Sequence, residues 1–233
     1  MAQRNPIVVG EWYHCYNRGV DKRIIFETYN DYERFMLLLY LCNGSEQVHI
    51  SNFKTWSFEM FLTNPTIDRG ERLVEIGVYA LMPNHFHLIL QEIKPGGIAT
   101  FLQRVCTGYT MYFNIKQERT GSLFSGPFKS KHILDDAYLT LAVPYVLLNP
   151  AELFDSNWKN GTAFRARVKQ ELLKYRYSSL QDFIGIERPE NTIIGSSLST
   201  YFETIPSLDK MLINAQEYYL QATSTLENIK ARP

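Results

Sequence analysis

The stretch "RLVEIGVYALMPNHFHLILQ" (Arg72–Gln91) limits the fold more than any other part of the chain. Two runs rich in β-formers flank Pro83-Asn84, a turn signal, so the chain doubles back here as two adjacent antiparallel strands. Along a strand the side chains alternate between faces. His85, His87 and Ile89 therefore share one face, and Phe86, Leu88 and Leu90 share the other. The apolar set can seal a core, which leaves two imidazoles side by side. Their Cβ atoms would lie about 7 Å apart, close enough to hold one metal ion between the rings. Taken alone, such a pattern more often marks two hydrogen-bonded structural histidines.

The rest of the chain reads as an α+β fold. "VVGEWYHCYNRG" alternates and is a strand ending at Asn17-Arg18-Gly19. Asn30-Asp31 offers an N-cap for a helix with Phe35, Leu38, Leu39 and Cys42 on one stripe. Residues 43–70 read as a long connection with one short strand near Trp56–Leu62. After Pro95-Gly96-Gly97 a helix runs from Ile98 to about Arg119, closed by Thr120-Gly121. "SGPFKSKHIL" is loop and then a fourth strand. Asp135-Asp136 caps "AYLTLAVPYVLLNP", a helix stopping at Asn149-Pro150 and kinked or divided at Pro144. A basic helix near Ala163–Lys174, the segment "YRYSSLQDF" and a helix around Leu208–Ile229 follow. This order predicts an antiparallel sheet with helices packed against it.

Bulk properties exclude several classes. A chain of 233 residues can bury roughly 70% of its unfolded surface without staples. Cys15, Cys42 and Cys106 are scattered and form no CxxC pair, which argues against a zinc knuckle or disulfide framework. The N-terminal residues show no continuous apolar signal region, and no run approaches a membrane span, so a reducing cytoplasm is expected and no membrane partner. Net charge is zero, which argues against a nonspecific DNA-coating protein. The charge is clustered, however. Arg104, Lys116, Arg119, Lys129 and Lys131 stand against only Glu118, and Arg165, Arg167, Lys169, Lys174 and Arg176 against only Glu171. Each segment reads equally as a solvated helix face or a phosphate-binding surface. Most of the aromatic residues, 14% of the chain, are assigned to the core.

In "PYVLLNP", Tyr145 and Asn149 are four apart and stack on one face if the stretch is helical. "MPNHFHLIL", "FNIKQERTGSLFSGPFKSK" and "YLTLAVPYVLLNPAEL", preceded by "YNRGVDKRIIF" and followed by "YRYSSL", together resemble the single-tyrosine HUH transposases. The likeness is greatest to the REP-associated tyrosine transposases and their insertion-sequence relatives, and spans roughly Tyr13 to Phe183. It implies an RRM- or ferredoxin-like antiparallel palm over residues 1–183; residues 184–233, outside the likeness, read as a helical C-terminal extension that could pack on the palm, oligomerise or bind DNA. It also implies that His85 and His87 bind a divalent ion, that Tyr145 is the nucleophile, and that Asn149 supplies a third ligand. Arg18 in "NRG" and the stretch "RTGSLFSGPFKSK" match family segments near DNA. Arg104, Lys116, Arg119, Lys129 and Lys131 are then expected at phosphates, with Phe124 or Phe128 free to stack on bases. Pro144 and Pro127 depart from the family pattern; relatives commonly carry a helix-friendly residue and an arginine there.

The activity implied is cleavage and rejoining of single-stranded or hairpin DNA, with Mg²⁺ or Mn²⁺, through a 5′-phosphotyrosine. Because neutral imidazoles are needed for coordination, activity is expected to fall below about pH 6.5. Two rivals remain: a domesticated, non-catalytic hairpin-binding protein, and a hydrolytic metal-dependent nuclease. Monomer and homodimer are both compatible with the residues.

Overall fold

The computed structural model describes residues 6–50, 57–160 and 165–230. Four strands, β1 (Trp12–Arg18), β2 (Val74–Met82), β3 (His85–Glu92) and β4 (Lys129–Ile133), form one sheet of order β2-β3-β1-β4. Each neighbouring pair is antiparallel. The helices are α1 (Tyr29–Leu41), α2 (Phe58–Thr63), α3 (Gly97–Lys116), α4 (Asp136–Leu147), α5 (Arg165–Lys174), α6 (Leu180–Phe183) and α7 (Leu208–Lys230). With β1, α1, β2, β3, α3 and β4 in that order, the core is a split β-α-β, ferredoxin-like palm, the fold class expected from the sequence.

The sheet is covered on both faces. On one, Tyr13, Cys15, Ile76, Tyr79, Leu81, Phe86, Leu88 and Leu90 meet buried residues of α1, α2 and α3. On the other, Trp12, Val78, Ala80, Ile89 and Ile133 meet α4 and the apolar side of α7, including Met211, Leu212, Ala215 and Tyr218. The C-terminal helix thus shares the sheet's second core. The change of face in β2 comes from a bulge, because Ile76 pairs with Leu90 and Val78 with Ile89. The intervening Gly77 has no room for a Cβ, which would lie 2.9 Å from the Trp12 ring and 3.0 Å from Leu198.

Several sequence expectations are corrected. Helix α1 is capped by Thr28, not by Asn30 or Asp31. Asp31 is its third residue, and its carboxylate accepts from the Thr28 and Glu27 amides at 2.9 and 3.0 Å. The short strand near Trp56–Leu62 is instead α2, capped by Ser57 Oγ accepting from the Met60 amide. Phe58, Phe61 and Leu62 are three and four apart and all buried, a helical spacing that their β-forming character disguises. Trp56 and Ala163 lie outside the described residues. Helix α3 ends at Lys116 rather than Arg119. Helix α4 runs through Pro144 to Leu147 without division, and Asn149–Leu153 continues as a 3₁₀ turn.

The exposed edge of β2 is occupied by "YRYSSL". The Leu81 amide donates to the Tyr177 carbonyl and the Ser179 amide to the Tyr79 carbonyl, both at 2.9 Å. This covers an edge that would otherwise invite pairing with another chain. From the same segment Ser178 Oγ donates to the Leu147 carbonyl at 3.0 Å and so fixes the end of α4. Arg188 braces the segment from beneath. Its guanidinium donates to the Ser178 and Arg176 carbonyls and to Asp182, whose side chain is wholly buried. Burial lifts the Asp182 pKa, against the pull of Arg188.

Arg188→Ala strands that carboxylate and is expected to cost about 3–5 kcal/mol in urea unfolding. A paired Arg188→Met, Asp182→Leu replacement should cost far less. Equal losses in the two variants would contradict this assignment.

Candidate metal and nucleophile site

The residues singled out in β3, in α4 and just after it converge on the α4–α7 face of the sheet. Strand pairing places His87 opposite Tyr16 on one side and Ala80 on the other, and His85 opposite Arg18 and Met82. His85 is partly accessible, whereas His87 is buried. Their ring centroids are 5.0 Å apart. Helix α4 brings Tyr145 over this pair, its ring 6.0 Å from that of His87. Asn149, buried at the start of the 3₁₀ turn, interacts through its side chain with both the His85 ring and the Tyr145 phenol. Its Nδ2 nevertheless has no hydrogen-bond partner of proper geometry.

The orientation of His85 can be read from its neighbours. Its Nδ1 is 2.6 Å from Asn84 Oδ1, and Asn84 Nδ2 donates to the Lys22 carbonyl at 3.2 Å. A carbonyl only accepts, which fixes the Asn84 amide; its Oδ1 must then accept from His85 Nδ1–H. The proton therefore sits on Nδ1 and leaves Nε2 as a bare lone pair. The Lys22 carbonyl is held in place by a tight loop in which Asp21 and Lys22 have φ of 54° and 59°. That left-handed backbone costs on the order of 1 kcal/mol per residue and persists because the surroundings impose it. Gly19, at the turn into the loop, is required because a Cβ would come within 2.4 Å of the Arg23 carbonyl oxygen.

Burial sets the electrostatics. It pushes His87 well below the ordinary imidazole value, with repulsion from His14 and His85 adding, and it lowers His85. His14 falls to about 3, through burial and then the charge of Lys131. All three rings are consequently neutral at physiological pH. The direction of these shifts moves any acid loss of imidazole donors to lower pH than an unperturbed ring would give. Burial also raises Tyr145, against the opposing pull of Lys159 and the Asn149 amide. Lys159, paired to Glu152 at 2.7 Å, acts on both rings and the phenol alike.

The basic residues divide between the two sides of the sheet. Arg18, Lys129 and Lys131 lie on the strands of the histidine face and are exposed. Lys131 Nζ bonds the Tyr138 hydroxyl and sits over the Tyr218 ring. Arg104, Lys116 and Arg119 belong to α3 or its C-terminal end, in the opposite layer. Arg104 donates to the Gly44 carbonyl at 2.7 Å, Lys116 is paired with Asp31 at 2.8 Å, and Arg119 bonds Asn114 and the Ser122 carbonyl. Phe124 and Phe128 are buried in the core of that layer rather than available for stacking, and Pro127 is exposed. The sequence gives no site role to His14, Asn84, Lys159 or Tyr218. Alternation alone places His14 and Tyr16 on one face of β1, but only the strand register shows which face of β3 they join.

Among the described residues no group of three His, Cys, Asp or Glu side chains could hold a metal ion. The available donor set is mixed: two neutral imidazoles and an amide with an unpartnered polar atom. Amide nitrogen and oxygen are exchanged by a flip, so Asn149 can present its oxygen where its unpartnered nitrogen lies. Such a set fits Mn²⁺, or Mg²⁺ that keeps waters in its remaining positions, with room for a phosphate oxygen.

No family model matches the chain, and no curated protein matches it. Among solved structures the chain is similar to a REP-associated tyrosine transposase bound to a REP hairpin. Identity is 12% and the TM-score 0.49, over 89% of this chain and 99% of that chain. A likeness this distant carries no argument about activity. No helix among the described residues is long and apolar enough to cross a membrane.

The titration of the buried rings is directly measurable. At pH 5.5, where a free imidazole is mostly charged, NMR is expected to find His14 and His87 still neutral. Midpoints near 6.5 would contradict the burial described above.

Proposed function

We propose that this protein is a DNA strand-transfer enzyme of the single-tyrosine HUH type. It would cleave and rejoin single-stranded DNA at hairpins through a 5′-phosphotyrosine. The observation that carries the reading is the convergence of His85, His87 and Asn149 with Tyr145 on one face of the sheet. Sequence spacing alone could not bring a strand-borne imidazole pair to a helix-borne phenol. The same four side chains are those that the resemblance to this family implies.

In this reading His85, His87 and Asn149 hold a divalent cation, Mg²⁺ or Mn²⁺. Bound there, it supplies Lewis-acid neutralisation of a non-bridging phosphate oxygen, an effect of several kcal/mol. Tyr145 Oη attacks the phosphorus and gives up its phenol proton to solvent; the O–P bond to the 3′ oxygen breaks, and that oxygen takes a proton from solvent and leaves as a 3′-hydroxyl. The bond energy is conserved in the tyrosyl ester, which a second 3′-hydroxyl can reverse. Burial opposes ionisation of the phenol, so Lys159 is assigned to stabilise the developing phenolate. Arg18, Lys129 and Lys131, on the same face, are assigned to the phosphates of the incoming strand. Arg104, Lys116 and Arg119 have partners in the opposite layer and fit this role less well.

One observation favours the binding-protein alternative. The Tyr145 ring lies 4.7 Å from that of Tyr218 on α7, so the nucleophile is partly covered.

Incubation of the full chain with Mn²⁺ and labelled single-stranded hairpins decides between these readings. The enzyme reading predicts a denaturation-resistant protein–DNA adduct that disappears in Tyr145→Phe and drops at least 100-fold in His85→Ala. Tight binding with no adduct across diverse hairpins would support the binding protein. Cleavage that survives Tyr145→Phe would indicate water as the nucleophile.

A further inference from the structure

His87 has a partner that plays the part Asn84 plays for His85. His14, from the neighbouring strand β1, is buried and places its Nε2 2.8 Å from His87 Nδ1. The two rings stack with centroids 5.0 Å apart. On its far side His14 Nδ1 is 3.2 Å from the Tyr218 hydroxyl of α7. Both histidines of the β3 pair therefore commit Nδ1 to a neighbour, and in each ring Nε2 is the nitrogen left over.

We propose that His14 is a positioning residue for the cation site, accepting His87 Nδ1–H at its own Nε2 so that His87 Nε2 stays a bare lone pair. The inference rests on the reading that His85 and His87 hold a cation, and deepens it. With one proton per neutral ring, the chain of bonds can run in either of two directions. If His14 Nε2 donated instead, the His87 proton would sit on Nε2 and face the ion, which excludes coordination. If His14 Nε2 accepts, its own proton sits on Nδ1 and donates to Tyr218 Oη. A hydroxyl takes either role, so α7 can terminate the chain in the productive direction. Partners that orient metal-bound imidazoles in this way are worth 10- to 100-fold in metal affinity.

The strand register explains why His14 can do this. Tyr16 is the direct cross-strand neighbour of His87, and His14 that of Ile89, so His14 reaches His87 along the diagonal. Tyr16 also stacks on His87, at 5.7 Å between centroids, which limits tilting of the ring. The His87 ring thus has its orientation set by β1, while its backbone belongs to β3.

The test uses the full chain, labelled with ¹⁵N, and reads imidazole tautomers by long-range proton–nitrogen correlation with and without diamagnetic Mg²⁺. With Mg²⁺ bound, His87 is expected to carry its proton on Nδ1; a proton on Nε2 in the bound state overturns the proposal. This readout needs no variant. In parallel, Mn²⁺ affinity is measured by titration calorimetry without DNA. His14→Phe should weaken binding about 10- to 100-fold, and His14→Gln, whose amide oxygen can accept the same proton, should recover most of it. Tyr218→Phe should weaken binding several-fold. Wild-type affinity in a folded His14→Phe protein, with binding lost in His85→Ala, sinks the role of His14 alone. Absence of Mn²⁺ binding in the wild-type chain sinks the cation reading and this proposal with it.

Discussion

The antiparallel pairing of Trp12–Arg18 with His85–Glu92 is the contact on which the rest depends. It makes β1 the inner strand between β3 and β4 and fixes which residues of each strand face α4. A shift of one residue would send His85 and His87 into the core beneath α1 and α3, and Phe86 and Leu88 out of it. The apolar face prevents that slip, since Tyr13, Cys15, Phe86, Leu88 and Leu90 are all buried together. Hydrophobic burial on one side of the sheet therefore aligns polar chemistry on the other.

A second constraint acts at the end of α4. Tyr145 and Asn149 reach the imidazoles only if the helix stops where it does. Ser178 holds the Leu147 carbonyl, and the segment carrying Ser178 is pinned along β2 and braced by Arg188. This gives "YRYSSL" a physical role: it finishes the sheet edge and sets the position of the helix that carries the phenol. Neither function involves a side chain at the site.

Much of the palm was legible in the sequence because its strands are strongly patterned. Alternation around Pro83-Asn84 defined the β2–β3 hairpin, and the helical stripe of Phe35, Leu38 and Leu39 defined α1. Other features were hidden because they depend on contacts between distant residues. Helix α2 was read as a strand, since Phe58 and Phe61 favour strands locally and only burial of one helical side decides otherwise. The basic run from Arg104 to Lys131 looked like one surface, yet the fold places α3 and β4 in different layers, and Asp31 takes up Lys116. His14 was visible as a histidine, but its approach to His87 depends on a register that links residues 73 apart. Of the candidate site, the residue types were legible and their supporting partners were not.

The proposed chemistry stands on one arrangement: two imidazoles and the Asn149 amide around a divalent cation, beside the Tyr145 phenol. Anomalous diffraction from a crystal soaked in Mn²⁺ tests it most directly. A peak is expected at coordinating distance from His85 Nε2, His87 Nε2 and Asn149 Oδ1, with Tyr145 Oη facing it. A peak elsewhere on the molecule, or none at saturating Mn²⁺, would contradict it.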